Sequence, residues 1–281
     1  MIAISTMSYM LLKPSEALAM LNDVGVDEVE LSFDNFQFFR KLGVSYDSMM
    51  ASILDIKTTL KCRVVAAHLP YGELINRAVN PSEQPKVLSE LSKWLRLFSE
   101  LGVKTVAVHI PFNYASIDED SLTYPRRIKE ANMSFFKTLA SLGREFSLIL
   151  AVENRYERGV YGYLPKDLVD LVSYVGEDNL KICLDTGHSI INGFQPHEYY
   201  KLLHPNVVLI HAHDNDGSKD LHLPPYMGCI DWDAFLNTLR ELKYNGIIVL
   251  EVACSDSIRR CNNTVNVLKM ISKSFAAKLS S

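Results

Sequence analysis

The apolar positions along the chain alternate between two periods. Short apolar runs typical of buried strands are followed by segments whose apolar residues recur every three to four positions, as in helices. Strands are predicted at IAIST, DEVELSF, RVVAAHL, VKTVAVHI, SLILAVEN, LKICLD, NVVLIHA and GIIVLEV. Helices are predicted near residues 14–26, 46–61, 84–101, 126–143, 165–175, 196–203, 231–244 and 257–277.

This alternation predicts a parallel α/β sheet, because consecutive parallel strands need a crossover helix between them. The chain shows eight strand–helix units with no linker between them, so we expect one domain over residues 1–281. Eight units in this length favour a single (β/α)₈ TIM barrel. An open doubly wound sheet is the alternative, although no glycine-rich nucleotide fingerprint follows the first strand.

Acidic residues or histidines stand at the ends of six consecutive predicted strands. In a barrel these ends meet at one mouth, and histidine with carboxylate is a ligand set for divalent metals. Each residue alone has a simpler interpretation as a packed histidine, a helix cap or a rim charge. Burying three carboxylates together without a cation is costly, so the coincidence favours a metal site. The six positions are His68, His109, Glu153, Asp185, His211 and Glu251.

The segment from 211 to 232, HAHDNDGSKDLHLPPYMGCIDW, adds more groups of the same chemistry. Asp220 and His222 are two residues apart, a spacing that lets both side chains point the same way in an extended loop. His188 similarly follows Asp185 by three residues in DTGH. Asp214 and Asp216 fit either Asx-turns or the site, and the sequence leaves that open.

Composition narrows the class of protein. The chain has 281 residues, 48% of them hydrophobic, and a net charge of −4 without a basic cluster, which argues against a nucleic-acid surface. The five cysteines form no CxxC pair and predict free thiols in a reducing cytoplasm. No apolar run approaches the ~20 residues of a membrane span. A cytoplasmic protein without a membrane partner is therefore expected.

Several motifs resemble those of the sugar phosphate isomerase/epimerase branch of the xylose-isomerase-like TIM-barrel superfamily. They are AAHLPYG, VAVHIPF, AVENR, CLDTGHS, HAHDNDGSKDLHLPP and VLEV, and the similarity runs over essentially the whole chain. The resemblance implies one divalent metal (manganese, magnesium, cobalt or zinc) held by Glu153, Asp185, His211 and Glu251. It also implies that the two glutamates act as the acid/base pair and that His188 contacts substrate oxygens.

The function implied by this resemblance is the isomerisation or epimerisation of a sugar or sugar phosphate. One glutamate removes a proton α to a carbonyl and the other returns it, through a metal-stabilised enediolate. The expected partner is a small-molecule sugar, and a homo-oligomer is compatible with the sequence. A barrel that binds a metal or small ligand without turnover ranks last, because both glutamates are present.

Endonuclease IV, of the same superfamily, supplies the alternative function. A resemblance to it implies up to three zinc ions and hydrolysis of a phosphodiester at abasic sites in DNA. The net charge of −4 argues against this reading, because duplex binding relies on clustered Lys and Arg. The ligand types of that enzyme match His68, His109, Glu153, Asp185, His188, His211, Asp220, His222 and Glu251.

Two departures from the sugar-enzyme motifs concern the substrate pocket. Tyr226 stands in LPPYMG where relatives often have glycine, and only Lys219 is available where an arginine often contacts substrate. The aromatic segment SFDNFQFFRKLG is predicted to be a loop packed at the barrel rim. Further pocket residues are predicted near other strand ends, at Tyr9, Tyr71, Asn113 and Arg155.

Overall fold

Eight parallel strands close into a barrel in which each strand pairs with the next and the eighth pairs with the first. The computed structural model describes residues 1–113 and 123–280. The closed order confirms the predicted (β/α)₈ barrel and rules out the open sheet. The strands are β1 Ile2–Ser5, β2 Glu28–Leu31, β3 Arg63–His68, β4 Thr105–His109, β5 Ile149–Glu153, β6 Leu180–Asp185, β7 Val207–Ala212 and β8 Ile247–Leu250.

Helices surround the barrel, and none within the described residues is both long and apolar enough to cross a membrane. Short 3₁₀ helices cover Thr6–Tyr9, Lys57–Thr59 and Arg77–Val79. The α-helices are α1 Pro14–Asp23, α2 Phe33–Lys41, α3 Tyr46–Ile56, α4 Glu73–Asn76, α5 Gln84–Leu101, α6 Thr123–Glu145, α7 Pro165–Val175, α8 Thr186–Ile191, α9 Pro196–Leu203, α10 Trp232–Glu241 and α11 Ile258–Ser280.

The barrel interior is filled by a layer of mostly small side chains. This layer packs as one buried cluster of Ala3, Ala66, Ala107, Ala151, Cys183, Leu209 and Val249. Because side chains alternate along a strand, the residue two positions further along also points inward. In six strands that next inward residue is the acid or histidine identified at the strand end. The period of the strands therefore directs the predicted site residues into one mouth, above the small-residue layer.

The aromatic segment after β2 is a helix, so its prediction as a loop was wrong. Ser32 caps α2 by accepting a hydrogen bond from the Asp34 backbone N–H, and basic residues stand in its last turn. Phe33 and Phe36, one helical turn apart, are buried with ring centroids 5.4 and 4.7 Å from Trp94. Burial of this face against α5 stabilises the helix, which the run of aromatic residues did not predict.

The prediction that all cysteines are free thiols was also wrong. Cys254, after β8, and Cys261, in α11, form a disulfide with a Cα–Cα distance of 5.6 Å. Seven residues separate them, and the turn into α11 brings them together. Cys62, Cys183 and Cys229 remain free, the first two of them buried as expected for small apolar residues.

Candidate functional site

A cavity of about 380 Å³ opens at the carboxyl ends of the strands. This volume falls within the range of small-molecule sites. Ten residues predicted from the sequence line it: His68, Tyr71, His109, Glu153, Arg155, Asp185, His188, Asp220, His222 and Glu251. The sequence did not identify the remaining lining residues, which are Met7, Asp34, Gly72, Asn76, Phe112, Tyr156 and Glu157.

His211 lies fully buried beneath the cavity, between two glutamates. Its Nδ1 is 3.6 Å from Oε1 of Glu153 and 3.5 Å from Oε2 of Glu251. That nitrogen has no hydrogen-bond partner among the described residues. Its Nε2 donates to the buried Glu30 Oε1 at 2.9 Å, so Nδ1 is the ring nitrogen that can lose its proton and offer a lone pair to a cation. A bare imidazole nitrogen facing two carboxylates has the chemistry of a divalent-metal site.

Asp185 joins this group from the end of β6. Its Oδ1 accepts the backbone N–H of His188 at 2.7 Å, so the aspartate also caps α8. Its Oδ2 accepts from Nε2 of His213 at 3.0 Å. Each carboxylate oxygen has a further lone pair, so these bonds leave Asp185 able to ligate a cation. The helix cap and the candidate ligand are therefore the same side chain.

Two further clusters of histidines and acids border the group formed by Glu153, Asp185, His211 and Glu251. His188 Nε2 and His222 Nε2 lie 3.4 and 3.2 Å from Oδ2 of Asp220. His68 Nε2 and His109 Nε2 lie 3.0 and 3.2 Å from Oε2 of Glu153. The structure thus brings together the nine side chains that match the ligand types of the three-zinc enzyme.

Buried carboxylates favour positive charge on the neighbouring imidazoles. Burial opposes protonation of His188, but Asp185 and Asp220 raise its pKa to about 10. The pKa of His211 is likewise raised well above its usual value, despite burial. Burial raises the pKa of Glu251 to about 8, whereas the imidazoles of His109 and His211 overcome burial and hold that of Glu153 well below its usual range. Crowded acids of this kind are what a bound cation relieves.

His109 behaves differently from the other histidines of the cavity. Burial, reinforced by the positive charge of Arg155, lowers its pKa to about 4. Nη1 of Arg155 lies 2.6 Å from Nδ1 of His109.

Two buried residues outside the predicted set of ligands hold these groups in place. Glu30 orients His211 from β2, and His213 orients Asp185 from just beyond β7. Glu30 is in the run EVEL, and no motif there marks it as a site residue. It does stand at an inward position of its strand, where a carboxylate needs a buried hydrogen-bond partner.

Three predicted pocket residues lie outside the cavity. Tyr9 is buried and donates its hydroxyl to Oδ1 of Asn262 at 2.5 Å. Asn113 and Lys219 are exposed and do not line the cavity among the described residues. The prediction that Lys219 replaces a substrate-contacting arginine therefore has no support in its position. Tyr226 adopts φ 72°, in the left-handed region that glycine favours, so the chain retains a turn suited to glycine here.

The loop that carries Asp220 and His222 is anchored by Asp214. This aspartate is buried and accepts hydrogen bonds from Trp232 Nε1 at 2.8 Å, from Asn215 N at 3.0 Å and from Ile230 N at 3.2 Å. Asp216, by contrast, is exposed and closes an Asx-turn with the backbone N–H of Ser218 at 2.9 Å. Neither Asp214 nor Asp216 lines the cavity, so both aspartates serve the loop and not the site.

We expect Asp214→Ala to lower the free energy of unfolding by about 2–4 kcal/mol, because it leaves three buried N–H donors without an acceptor. Chemical denaturation of the variant and of Asp216→Ala, its exposed neighbour, measures the difference. Asp216→Ala should lower the free energy of unfolding by less than ~1 kcal/mol. Equal effects of the two substitutions would contradict the anchoring role of Asp214.

Comparisons with known proteins agree with this architecture. Two uncharacterized proteins of Methanocaldococcus jannaschii are each 26% identical to the chain. One alignment covers 77% of this chain and 72% of the relative, and the other covers 91% and 93%.

Solved structures share the fold over nearly the full chain. A D-tagatose 3-epimerase-like protein has a TM-score of 0.79 at 20% identity, covering 99% of both chains. A D-psicose 3-epimerase in the presence of D-fructose has 0.74 at 14%, covering 98% of both. The IOLI protein with a binding zinc atom has 0.74 at 16%, covering 99% of this chain and 98% of its own.

The sequence profile of the xylose isomerase-like TIM barrel family matches residues 18–272. This span contains every residue of the three clusters at the barrel mouth. The chain belongs to the xylose isomerase-like TIM barrel family.

Proposed function

We propose that this protein is a divalent-metal-dependent isomerase or epimerase of uncharged sugars. The observation that carries the proposal is the bare Nδ1 of His211, which faces Glu153 and Glu251 with no hydrogen-bond partner among the described residues. Glu153, Asp185, His211 and Glu251 would hold the cation. Several proteins of the same fold are sugar epimerases, D-psicose 3-epimerase and L-ribulose 3-epimerase among them, and this supports the same reaction class.

The reaction moves a proton on a carbon next to a carbonyl. A divalent cation, when bound, supplies Lewis acidity toward the substrate oxygens and charge stabilisation. Glu153 and Glu251 approach the shared centre from the ends of β5 and β8, strands that do not pair with each other, so one can remove the proton and the other return it. His188, which donates Nδ1–H to the Asn154 carbonyl at 2.8 Å, turns its other nitrogen toward the cavity.

The charge of the cavity supports a substrate without phosphate. Six carboxylates line it among the described residues, and Arg155 is the single guanidinium or ammonium group there. Glu157 already pairs with that guanidinium, through Nε at 2.9 Å and through Nη2. A phosphate dianion would meet repulsion from these acids, because each lining histidine among the described residues already lies against Glu153 or Asp220.

The test is a panel of free ketoses and their phosphate esters, incubated in heavy water with manganese, cobalt, magnesium or zinc. We expect deuterium to enter at the carbon next to the carbonyl of a free sugar, with kcat/KM at least ~10-fold above that of the ester. A preference for the phosphate ester would contradict the charge argument. Failure of every sugar to exchange, with the metal-loaded protein folded, would contradict the proposed function.

A three-zinc phosphodiesterase is the second candidate. The observation that favours it is the convergence of two further clusters, His68–His109–Glu153 and His188–Asp220–His222, around the first. The acidic cavity opposes it, because phosphodiester backbones bind to clustered Lys and Arg. An abasic-site DNA duplex incubated with the zinc-loaded protein separates the candidates. Cleavage that His109→Ala abolishes would favour the phosphodiesterase.

A further inference from the structure

The hydrogen bonds of the cavity histidines divide them into two kinds. In His68, His188 and His222, Nδ1 lies 2.7–3.0 Å from a backbone carbonyl, of Leu69, Asn154 and Glu251 respectively. A carbonyl only accepts, so each Nδ1 carries a proton and each Nε2 faces the acids, where a cation can replace the second ring proton. This is the arrangement of metal-ligating histidines, whose second N–H is held by a carbonyl or carboxylate.

His109 has the opposite arrangement. Nη1 of Arg155 lies 2.6 Å from its Nδ1, and a guanidinium has only donors and stays charged. Nδ1 of His109 must therefore accept, and the ring proton of the neutral imidazole must sit on Nε2. That Nε2 lies 3.2 Å from Oε2 of Glu153, in place to donate.

Arg155 is fixed tightly enough to impose this choice. Its side chain is only 7% exposed, and Glu157 holds it through Nε and Nη2. Its guanidinium carbon sits 4.7 Å from the centre of the Phe112 ring. Its backbone donates to the Gly162 carbonyl at 2.9 Å and accepts from the Asn192 side chain at 2.8 Å. These contacts from both sides leave Nη1 directed at His109.

We infer that Arg155 holds His109 as the Nε2–H tautomer, so that His109 is a hydrogen-bond donor in the site and not a metal ligand. A ligating nitrogen needs a free lone pair, which Nε2 of His109 lacks in this arrangement. His109 then donates to Glu153 or to an oxygen of the substrate, and Arg155 is its positioning residue. The role in turnover rests on the proposed function, whereas the tautomer and the ligand assignment do not.

The inference also weighs on the second candidate. Nine side chains match a three-zinc centre, but the neighbouring arginine prevents one of them, His109, from ligating zinc. The cluster His68–His109–Glu153 is thereby left with two ligands. The sequence pattern of that centre is present here, but the chemistry of one of its ligands has changed.

Ring-nitrogen NMR of the full chain, labelled with ¹⁵N-histidine and treated with chelator, reads the tautomer directly. The His109 signals are assigned by their loss in His109→Gln. We expect Nε2 to carry the proton and Nδ1 to be bare at neutral pH. A proton on Nδ1, with or without one on Nε2, would overturn the inference, whatever the protein proves to catalyse.

Two variants test the cause and the consequence. In Arg155→Met we expect His109 to lose its preference for the Nε2–H tautomer. Arg158→Met, at an exposed neighbouring position, should retain that preference. Persistence of the preference in Arg155→Met would show that Arg155 does not fix the tautomer. Zinc titration of His109→Ala should give the wild-type number of bound ions per chain. A loss of about one equivalent in that variant would restore His109 as a ligand and refute the inference.

Discussion

Glu153→Gln and Glu251→Gln are each expected to reduce kcat/KM for the sugar substrate by at least ~10³-fold. A glutamine can neither remove nor return a proton, and its neutral amide is a weaker partner for a cation than a carboxylate. Both glutamates border Nδ1 of His211 at 3.5–3.6 Å, so each variant removes an acid/base group and one side of the candidate metal site. Steady-state kinetics with saturating metal measures the loss.

Circular dichroism and thermal unfolding of the same variants show whether the barrel survives. Glu130→Gln, on an exposed face of α6 where the side chain is 62% exposed, is the matched control and should retain wild-type kinetics. Near-wild-type turnover in either site variant would refute the two-glutamate mechanism. Loss of the fold in both would leave the mechanism to be tested by the conservative Glu→Asp pair, for which we expect a lower kcat with the fold retained.

His211→Ala is expected to weaken metal binding by at least ~100-fold. The substitution removes the bare nitrogen between the two glutamates and leaves buried Glu30 without its hydrogen-bond donor. Competition titration against a chromophoric chelator measures the affinity. Glu30→Gln retains His211 but weakens its orientation, so an intermediate loss of about 10-fold or more is expected.

The control for this series is His197→Ala, which removes a half-buried histidine on α9 away from the cavity. It should retain wild-type affinity. Unchanged affinity in His211→Ala would show that the cation is held elsewhere. Equal losses in Glu30→Gln and His211→Ala would mean that Glu30 does more than orient the imidazole.

The sequence predicted the barrel and most of the mouth because both follow from one periodicity. Two-residue alternation along β5, for example, points Ala151 and then Glu153 inward, and parallel closure carries every strand end to the same rim. The same pattern identified His68, Asp185 and Glu251. No knowledge of loop conformation was needed for these positions.

Features that depend on contacts across the barrel were beyond the sequence pattern. Glu30 meets His211 because closure sets β2 across from β7, strands that do not pair with each other. Helix α2 owes its position to Phe33 and Phe36 packing on Trp94, which is distant in sequence. The disulfide requires the turn into α11, and the spacing of Cys254 and Cys261 alone does not encode it.

The chemistry of individual histidines was equally hidden. His68 and His109 each end a buried strand and look alike in the sequence. The structure separates them, because a backbone carbonyl meets Nδ1 of one and a guanidinium meets Nδ1 of the other. Hydrogen-bond direction, which no motif records, decides which nitrogen is bare.

The most direct test of the metal site is the metal content of the protein, purified without chelator or metal-affinity resin and measured by elemental analysis. We predict about one divalent ion per chain, absent from His211→Ala purified alongside. Three zinc ions per chain would favour the phosphodiesterase and contradict the one-metal sugar enzyme. A protein that neither retains nor takes up a divalent ion would contradict the metal site itself.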